Sequence, residues 1–309
     1  MDPVTQAESG PATDLPPQRR SGPCQLRCGE RVLLVDARNR RYMITLDAGK
    51  QFHPHAGILD HDRVIGAQEG TVVLTSSGKR FFAVRPTLAD VILGMPRGAQ
   101  VIYPKDLGAI LMAADIAPGM RVLEAGVGSG ALSMVLLRAG ASVIGYELRE
   151  DFARRAESNV AAVIGEASYR VERRDVYLGI EETELDRVLL DLPEPWRVVH
   201  HAETALRVGG ILLCYLPTIN QTAELRYALR RSRFGMCETF ETMLRTWHVE
   251  GRSVRPDHRM VAHTGFLTHA RLLASNEGTD HLGPYMCDES FAGSSAPPPC
   301  EPISETWPG

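Results

Sequence analysis

The chain has 309 residues, of which 44% are hydrophobic and 23% are charged, which is the balance of a globular protein with a substantial buried core. Its formal net charge of -4 does not point to a nucleic-acid protein, although local clusters of basic residues matter more than the total. No apolar run reaches the roughly 18 to 20 residues of a membrane span. The first residues lack signal-peptide order, so we expect a cytoplasmic protein.

The first third of the chain is predicted to be a disordered tail followed by a small β-rich domain. Residues 1–22 have the composition of a disordered segment, as do residues 276–309 at the other end. Residues 23–86 contain short apolar runs that predict two hairpins. Their expected strands are Arg31–Asp36 with Arg41–Leu46, and Thr71–Thr75 with Arg80–Val84.

Residues 87–275 are predicted to form an open α/β sheet, because short apolar runs alternate there with helical stretches. The expected strands are Arg121–Glu124, Ser142–Glu147, Tyr169–Glu172, Arg187–Asp191 and Gly210–Leu216. The expected helices are Ala131–Ala139, Asp151–Ile164, Val198–Leu206 and Gln221–Arg233. Two long β-like runs, Met236–Val249 and Met260–Leu272, are expected to close the sheet as an antiparallel hairpin.

The strongest local signal is the glycine-rich run Val122–Ser133, which ends a predicted strand and opens a predicted helix. Glycines allow positive φ and close approach of a ligand beside the helix N-terminus. The spacing Gly-x-Gly-x-Gly after an acid is usual for S-adenosylmethionine, whereas dinucleotide loops use Gly-x-Gly-x-x-Gly. The residues expected to bind this cofactor are Gly126, Val127, Gly128, Ser129 and Gly130. The alternative is a glycine-rich turn without a ligand.

Two acids follow the next two predicted strands. Glu147 ends the second strand, where a carboxylate can accept hydrogen bonds from both ribose hydroxyls of the cofactor. Asp175 follows the third strand, where it is placed to accept a bond from the adenine amino group of the cofactor. The alternatives are an ordinary surface glutamate for Glu147 and a lone aspartate after a strand for Asp175. For Asp191, at the end of the fourth predicted strand, the alternative is an aspartate that caps the next turn.

The fourth predicted strand ends at Asp191 and continues into Leu-Pro-Glu-Pro-Trp, up to Trp196. Because strand ends face the ligand crevice of an open α/β sheet, Asp191 is expected to point at the transferable methyl group. The two prolines predict an extended, stiff path from Asp191 to Trp196. Trp196 is expected to stack on a flat base, and the alternative is a tryptophan of the core or the rim.

Five segments together resemble the bacterial type of tRNA (adenine-58-N1)-methyltransferase, and the resemblance extends from about Cys28 to about Leu273. The segments are Arg85–Asp90, Met95–Asp106, Glu124–Ser133, Asp191–Trp196 and Arg255–Leu267. The glycine loop occurs in many methyltransferases. The Tyr-Pro-Lys-Asp run beginning at Tyr103 and the Arg-Pro-x-His-Arg-Met run beginning at Arg255 are much narrower signals.

The resemblance implies a Rossmann-like class I methyltransferase domain after the small β domain, and a homotetramer that methylates N1 of adenine 58 in the T-loop of tRNA. Asp191 would be the catalytic residue and would also line the cofactor. Its carboxylate would accept a bond from the N6 amino group and favour the positive charge that develops on the base. We expect this carboxylate to be charged throughout the working range unless burial raises its pKa strongly. Substrate contacts are expected from Tyr103, Trp196, Tyr215, Arg255, His258 and Arg259.

Basic residues concentrate in the same segments and are expected to contribute to an RNA footprint around the pocket. They are Arg97, Lys105, Arg245, Arg252, Arg255, His258, Arg259 and Arg271. A solvated charged face is the alternative. Many of the acids that make the net charge negative lie in the two predicted tails.

No metal site is expected. Cys24 and Cys28 have zinc-like spacing, but no second pair follows at finger distance, and separate reduced thiols are expected. His53, His55 and His61 lack a cysteine or carboxylate that would complete a recognisable site. A methyltransferase acting on another base or on a protein, and a non-catalytic RNA-binding subunit, are the two alternative functions.

Overall fold

The computed structural model of the protein describes residues 25–55, 57–95, 101–165 and 167–274. Both predicted tails and Arg97 lie outside the described residues. The described residues form two compact units that divide between Gly94 and Met95, whereas the sequence places the division after Pro86. The difference is a helix that was not predicted, α1 (Leu88–Gly94), which belongs to the first unit.

The N-terminal unit is built on antiparallel strands. They are β1 (Arg31–Asp36), β2 (Arg41–Thr45), β3 (Gln51–Phe52), β4 (Leu59–Asp60), β5 (Thr71–Leu74) and β6 (Arg80–Val84). Four of them form a sheet in the order β2-β1-β6-β5, which confirms both predicted hairpins. The pair β3–β4 was not predicted, because a strand of two residues is too short to show an alternation of apolar and polar residues. Leu34 and Phe81 are fully buried, and the rings of Tyr42 and Phe52 pack around Phe81.

The second unit contains a seven-stranded sheet with helices, which confirms the predicted α/β class. The strands of the main sheet are β7 (Arg121–Ala125), β8 (Ser142–Tyr146), β9 (Tyr169–Glu172), β10 (Leu185–Leu190), β11 (Leu206–Leu216), β12 (Phe234–Phe240) and β15 (Phe266–Leu272). A separate pair is formed by β13 (Trp247–Glu250) and β14 (Ser253–Pro256). The sheet order is β12-β15-β11-β10-β7-β8-β9. The five strands from β7 to β11 pair in parallel, and β15 is antiparallel to both β11 and β12.

The helices of this unit cover a sheet whose central strands are almost continuously apolar. They are α2 (Pro104–Ala113), α3 (Ala131–Arg138), α4 (Glu150–Val163), α5 (Val199–Ala205) and α6 (Ile219–Arg230). The strands β10 and β11 are buried on both faces along most of their length, as expected for the centre of a parallel sheet. Three predicted helices begin and end within one residue of the observed α3, α4 and α5, and a 3-10 turn, Pro195–Val198, precedes α5. The predicted helix Gln221–Arg233 is shifted toward the C-terminus relative to α6, and α2 was not predicted.

The two long β-like runs at the end of the domain pair antiparallel in the main sheet, as predicted, but only through part of each run. The first contains β12 and then, separately, β13, which pairs with β14 and not with the main sheet. Only the last part of the second run, β15, is a strand of that sheet. Gly251, at φ +55°, supplies the left-handed residue that turns the chain between β13 and β14. Strand propensity locates extended segments but does not say which partner each one takes.

Candidate active site

The parallel strands β7, β8, β9, β10 and β11 end at one edge of the sheet, and all predicted cofactor residues follow those ends. Crevices for ligands lie outside the carboxyl ends of such strands. The fold therefore places the glycine loop, Glu147, Asp175 and Asp191 along one edge, as the sequence predicts.

The glycine loop connects β7 to α3, and each of its three glycines has a different reason to lack a side chain. All three have positive φ. A Cβ at Gly126 would lie 2.1 Å from the carbonyl oxygen of Asp191, so this glycine lets the ends of β7 and β10 approach. A Cβ at Gly130 would be 3.3 Å from Ala156 of α4. A Cβ built at Gly128 would have no atom within 4 Å, so the loop is open to a ligand on that side.

The other two residues of the loop have buried side chains. Val127 packs over Gly145 of β8, where a Cβ would lie 2.7 Å from the valine methyl group. Ser129 is 6% exposed, and its carbonyl accepts a hydrogen bond from the Asn159 amide at 3.0 Å. Any ligand contact at these two positions therefore uses the backbone.

Glu147 follows β8 directly and reaches back to the glycine loop. One carboxylate oxygen accepts the N–H of Gly128 at 3.0 Å, and the other accepts the N–H of Arg149 at 3.0 Å. A carboxylate has about four lone-pair sites, so both oxygens can still accept bonds from a ligand. The two backbone bonds fix the orientation of Glu147 at the tip of the strand.

Asp175 lies in a turn after β9 that reaches the end of β10. One of its carboxylate oxygens accepts the N–H of Tyr177 at 2.9 Å, which caps the turn. The hydroxyl of Tyr177 in turn accepts the N–H of Glu194 at 3.2 Å. This link between the two crevice segments was not predicted, because it depends on a contact between distant parts of the chain.

Asp191 is the first residue after β10, and its N–H donates to the carbonyl of Ala125 at 3.0 Å. Within the described residues, its carboxyl group takes part in no hydrogen bond or ion pair. Burial raises its pKa to about 7. The sequence expectation made an exception for this case, since it held only where burial does not raise the pKa strongly. In the protein alone, a half-buried acid without a partner retains its proton to a higher pH than an exposed one.

Glu124 is a second buried acid at this edge, and in the sequence it stands out only as part of the loop motif. It is 1% exposed and accepts the hydroxyl of Ser133 at 2.5 Å. The Ser133 hydroxyl also lies 3.2 Å from that of Tyr169. Burial, together with the nearby Asp191, raises the pKa of Glu124 to about 8. Glu124 supports the loop from within the fold and does not face the crevice.

Tyr215 lies near the end of β11 and is held from two sides. Its hydroxyl donates to the carbonyl of Thr264 at 2.7 Å, and its ring packs on Gly265, where a Cβ would lie 2.4 Å from the ring. Burial, together with Asp106, Asp191 and Tyr103, raises its pKa to about 12. Tyr103 precedes α2 and is half-buried. The structure thus brings Tyr103, Tyr215 and Asp191 into one neighbourhood.

Trp196 does not lie on an extended path. It belongs to the 3-10 turn Pro195–Val198, because a proline at the first position of a helical turn favours the turn over an extended chain. Its ring is half-buried against the core of the sheet, which is the alternative role given above. Stacking of Trp196 on a base stays a prediction.

The basic residues separate into three groups. Arg245, Arg252, Arg255, His258 and Arg259 are exposed in and beside the β13–β14 hairpin. Lys105 is not part of a surface, because its side chain is 6% exposed and pairs with Asp106 at 2.7 Å. Arg271 is opposite Ile211 in the middle of β11, which is level with Arg187 near the start of β10, so it lies away from Asp191 at the end of β10. Lys105 and Arg271 are therefore not among the residues that we expect to contribute to an RNA footprint around the pocket.

The histidines and acids outside the crevice form no metal centre in the described part of the chain. No group of three or more His, Cys, Asp or Glu residues there is arranged to hold a metal ion. His61 uses a ring nitrogen to accept the N–H of Asp47 at 3.1 Å, which is a packing role. None of the described helices is both long enough and apolar enough to span a membrane.

Comparison with known protein families gives two matches in chain order. The model described as "tRNA methyltransferase complex GCD14 subunit" matches residues 81–255. This range contains the glycine loop, the three predicted crevice acids and Tyr215. The acids are Glu147, Asp175 and Asp191. The model described as "TrmI-like N-terminal" matches residues 24–73.

Curated relatives match over most of their own length. The tRNA (adenine(58)-N(1))-methyltransferase TrmI of Thermus thermophilus is 39% identical over 249 residues, which are 78% of this chain and 96% of the relative. The tRNA (adenine(57)-N(1)/adenine(58)-N(1))-methyltransferase TrmI of Methanocaldococcus jannaschii is 34% identical over 269 residues, which are 78% of this chain and 94% of the relative.

Solved structures agree with the fold. A SAM-dependent O-methyltransferase of Thermotoga maritima has a TM-score of 0.78 at 35% identity and covers 82% of this chain and 96% of its own. The tRNA (m1A58) methyltransferase TrmI of Aquifex aeolicus has a TM-score of 0.74 at 30% identity and covers 81% of this chain and 100% of its own. By its sequence and by its class I methyltransferase sheet, the chain belongs to the tRNA methyltransferase family that the GCD14 subunit model describes.

Proposed function

We propose that this chain transfers a methyl group from S-adenosylmethionine to N1 of adenine 58 in the T-loop of tRNA. The observation that carries the proposal is Asp191, a half-buried carboxyl group without a partner among the described residues, at the same strand edge as the open glycine loop. Relatives named for this activity match the chain over nearly their whole length.

The residues of the crevice fit the cofactor. When bound, S-adenosylmethionine supplies a methyl group on a positively charged sulfur. The open face of the loop at Gly128 admits a ligand to the backbone, and the N-terminus of α3 lies behind it. Glu147 is held in place to accept the ribose hydroxyls, and Asp175 has one carboxylate oxygen outside its turn for the adenine amino group.

Asp191 would act on the target base. Adenine N1 is a weak nucleophile, and its methylation leaves the ring positively charged. An ionised Asp191 accepts a hydrogen bond from the N6 amino group and stabilises this charge as it develops. Tyr103 and Tyr215 would flank the base from α2 and β11.

The second candidate is methyl transfer to another acceptor. One specific observation favours it: the similar Thermotoga maritima protein is named an O-methyltransferase, so a structural neighbour carries a different activity name. A carboxyl group facing the target suits a base with an amino group beside the acceptor nitrogen better than it suits an anionic oxygen. A non-catalytic RNA-binding subunit would have no need of the open loop, Glu147 and Asp191 together.

The deciding experiment is methyl transfer from labelled cofactor to an unmodified tRNA transcript, followed by mapping of the labelled nucleoside. We expect 1-methyladenosine at position 58. A transcript with guanosine at position 58 is the control and is expected to accept no label there. Because one relative is named for positions 57 and 58, transcripts with adenine at only one of these positions test whether both are used. Label on any other nucleoside would favour the second candidate.

The assembly and the location of the protein are part of the proposal. We propose a homotetramer in the cytoplasm, in which several subunits join their exposed basic hairpins into one footprint for tRNA. Sedimentation of the full-length protein, alone and with tRNA, tests the number of subunits. A monomer at all concentrations would contradict this part of the proposal without affecting the chemistry.

A further inference from the structure

Lys105 and Asp106 form a buried ion pair at the start of α2. The Lys105 side chain is 6% exposed and that of Asp106 is fully buried, and the two charged atoms lie 2.7 Å apart. The Lys105 ammonium also donates to the carbonyl of Thr242 at 2.8 Å and to the hydroxyl of Thr264 at 2.5 Å. An ammonium has three donors, so these three partners satisfy it fully.

The Asp106 carboxylate is satisfied by the same two threonines. The Thr242 hydroxyl donates to one oxygen at 2.6 Å, and the Thr264 hydroxyl donates to the other at 2.6 Å. These partners lie 136 and 158 residues further along the chain, after β12 and before β15. A buried network in which every member is satisfied rigidifies the segments it joins. This network therefore fixes two connections of the sheet to the first turn of α2.

Thr264 connects this network to the crevice. Its hydroxyl belongs to the network, while its carbonyl accepts the hydroxyl of Tyr215 at 2.7 Å. The next residue, Gly265, is the one on which the Tyr215 ring packs. On the other side, Tyr103 is two residues from Lys105 and accepts the N–H of Asp106 on its carbonyl at 2.9 Å. The buried pair Lys105–Asp106 thus fixes the backbone at Tyr103 and the backbone at Thr264 to which Tyr215 is bonded.

We propose that Lys105 and Asp106 are positioning residues, which act through Thr264 and Tyr103 to set Tyr215 and Tyr103 around the target base. The proposal rests on the proposed function, because it takes the base to lie between these tyrosines. Lys105 itself does not contact RNA or the base, since its ammonium is enclosed by protein partners.

The test compares two threonine variants of the full-length protein. Thr264→Val removes the network hydroxyl and keeps the carbonyl that holds Tyr215. Thr239→Val is the matched control, because the Thr239 hydroxyl bonds that of Thr268, at 2.9 Å, between strands β12 and β15 and outside the network. We expect Thr264→Val to lower kcat for tRNA by about 10- to 100-fold, since small displacements at a reacting centre have effects of this size. Cofactor Kd should be unchanged, Thr239→Val should keep the wild-type kcat, and Thr264→Ser should restore it.

A double variant tests the route through Tyr215. If the network acts on Tyr215, adding Thr264→Val to Tyr215→Phe should lower kcat less than Thr264→Val does alone. Fully additive losses, or equal kcat for Thr264→Val and Thr239→Val, would overturn the proposal. If Thr264→Val fails to fold, Thr242→Val removes the other network hydroxyl and carries the same expectation. Absence of transfer by the wild-type protein would overturn the proposed function as well, whereas an active wild type with an unaffected Thr264→Val overturns this inference alone.

Discussion

At the scale of single residues, the site depends on carboxyl groups that sit in very different surroundings. Glu147 is oriented by two backbone N–H groups, whereas the carboxyl group of Asp191 has no hydrogen-bonding partner within the described part of the chain. The first arrangement fixes the direction of the carboxylate, and the second leaves the group ready to bind a donor from a ligand. We therefore expect these acids to affect binding and rate differently.

Replacing Asp191 tests the transfer step. Asp191→Asn keeps the size of the side chain and an acceptor oxygen but deletes the charge, so the transfer rate should fall by about 100-fold or more, as for the loss of one electrostatic stabiliser. The unfolding temperature should be kept. Single-turnover transfer to tRNA measures the rate, and a wild-type rate at equal cofactor affinity would show that the carboxylate mechanism is wrong.

The pH dependence of the same rate checks the burial of Asp191. Its pKa is raised to about 7 in the protein alone, so the ionised form is lost as the pH falls through this value. A bound cationic cofactor lowers the midpoint below 7. We expect the wild-type rate to rise between about pH 5 and 7 and that of Asp191→Asn to be flat. A flat wild-type profile over this range would mean that Asp191 keeps an ordinary pKa.

Glu147→Ala should weaken the binding of S-adenosylmethionine by about 1–3 kcal/mol, because two charge-assisted bonds to the ribose are lost. Calorimetry measures the affinity, and Glu150→Ala, an exposed acid in the first turn of α4, is the control. Since Glu147 also accepts the N–H of Gly128, thermal unfolding of both variants is compared. Unchanged affinity in Glu147→Ala would remove this residue from the site.

Glu124 should make the stability of the protein depend on pH. Its pKa is about 8 in the folded state and near 4.5 when exposed, so between these values the folded state binds more protons than the unfolded state. The free energy of unfolding then falls as the pH rises from 4.5 to 8, by on the order of a few kcal/mol. Glu124→Gln should remove this fall, so its stability relative to the wild type should be greater at about pH 8.5 than at about pH 5.

Thermal unfolding at several pH values measures the effect. The exposed Glu224→Gln of α6 is the control and should follow the wild type. If Glu124→Gln lost stability at all pH values, the hydrogen bond from Ser133 would require a charged carboxylate, and the protonated state inferred here would be wrong.

At the scale of elements, the β13–β14 hairpin stands out because it pairs with no strand of the main sheet. Arg255 lies on β14, and Arg259 follows it, and both are exposed. The hairpin also carries the exposed apolar residues Trp247, Val249 and Val254. A hairpin of this kind is suited to contact another molecule.

Arg255→Ala and Arg259→Ala should each weaken tRNA binding and reduce its dependence on salt. The slope of log affinity against log salt should fall by about one unit for each phosphate contact that is lost. Binding is measured at several salt concentrations. Arg154→Ala, an exposed residue of α4 with the same charge, is the control. Slopes equal to that of the wild type would assign these arginines to another role, such as a subunit contact.

At the scale of the whole molecule, the charge is unevenly distributed along the sequence. The last 34 residues contain six acids and no Lys or Arg. They are Glu277, Asp280, Asp288, Glu289, Glu301 and Glu305. This segment therefore opposes the approach of a polyanion to the rest of the chain.

Replacing these six acids with their amides should strengthen tRNA binding several-fold at low salt. The gain should fade as the ionic strength rises, because the repulsion acts through solvent and is screened within about 10 Å at about 0.1 M salt. Titrations of full-length wild type and variant at two salt concentrations measure it. Equal affinities at low salt would show that the segment lies away from the bound RNA.

The sequence determined those features that depend on neighbouring residues. The run Val122–Ser133 specifies a strand, a turn with positive φ and a helix, and the structure has all three there. Alternation of apolar runs and helices was enough for the α/β class, and the strand ends then placed Glu147 and Asp191 at one edge. Glycine and strand preferences act locally, so a single sequence is sufficient to read them.

Tertiary structure alone decided which side chains are buried, paired or free. The residues next to Lys105 in the sequence do not show whether its side chain is exposed or buried. It is enclosed because Thr242 and Thr264, which are distant in the sequence, pack against it. Arg271 lies away from Asp191 because β15 runs antiparallel to β11. The raised pKa of Asp191 likewise comes from neighbours distant in the chain. Burial and strand pairing depend on contacts between residues that are distant in the sequence, so local residue preferences do not predict them.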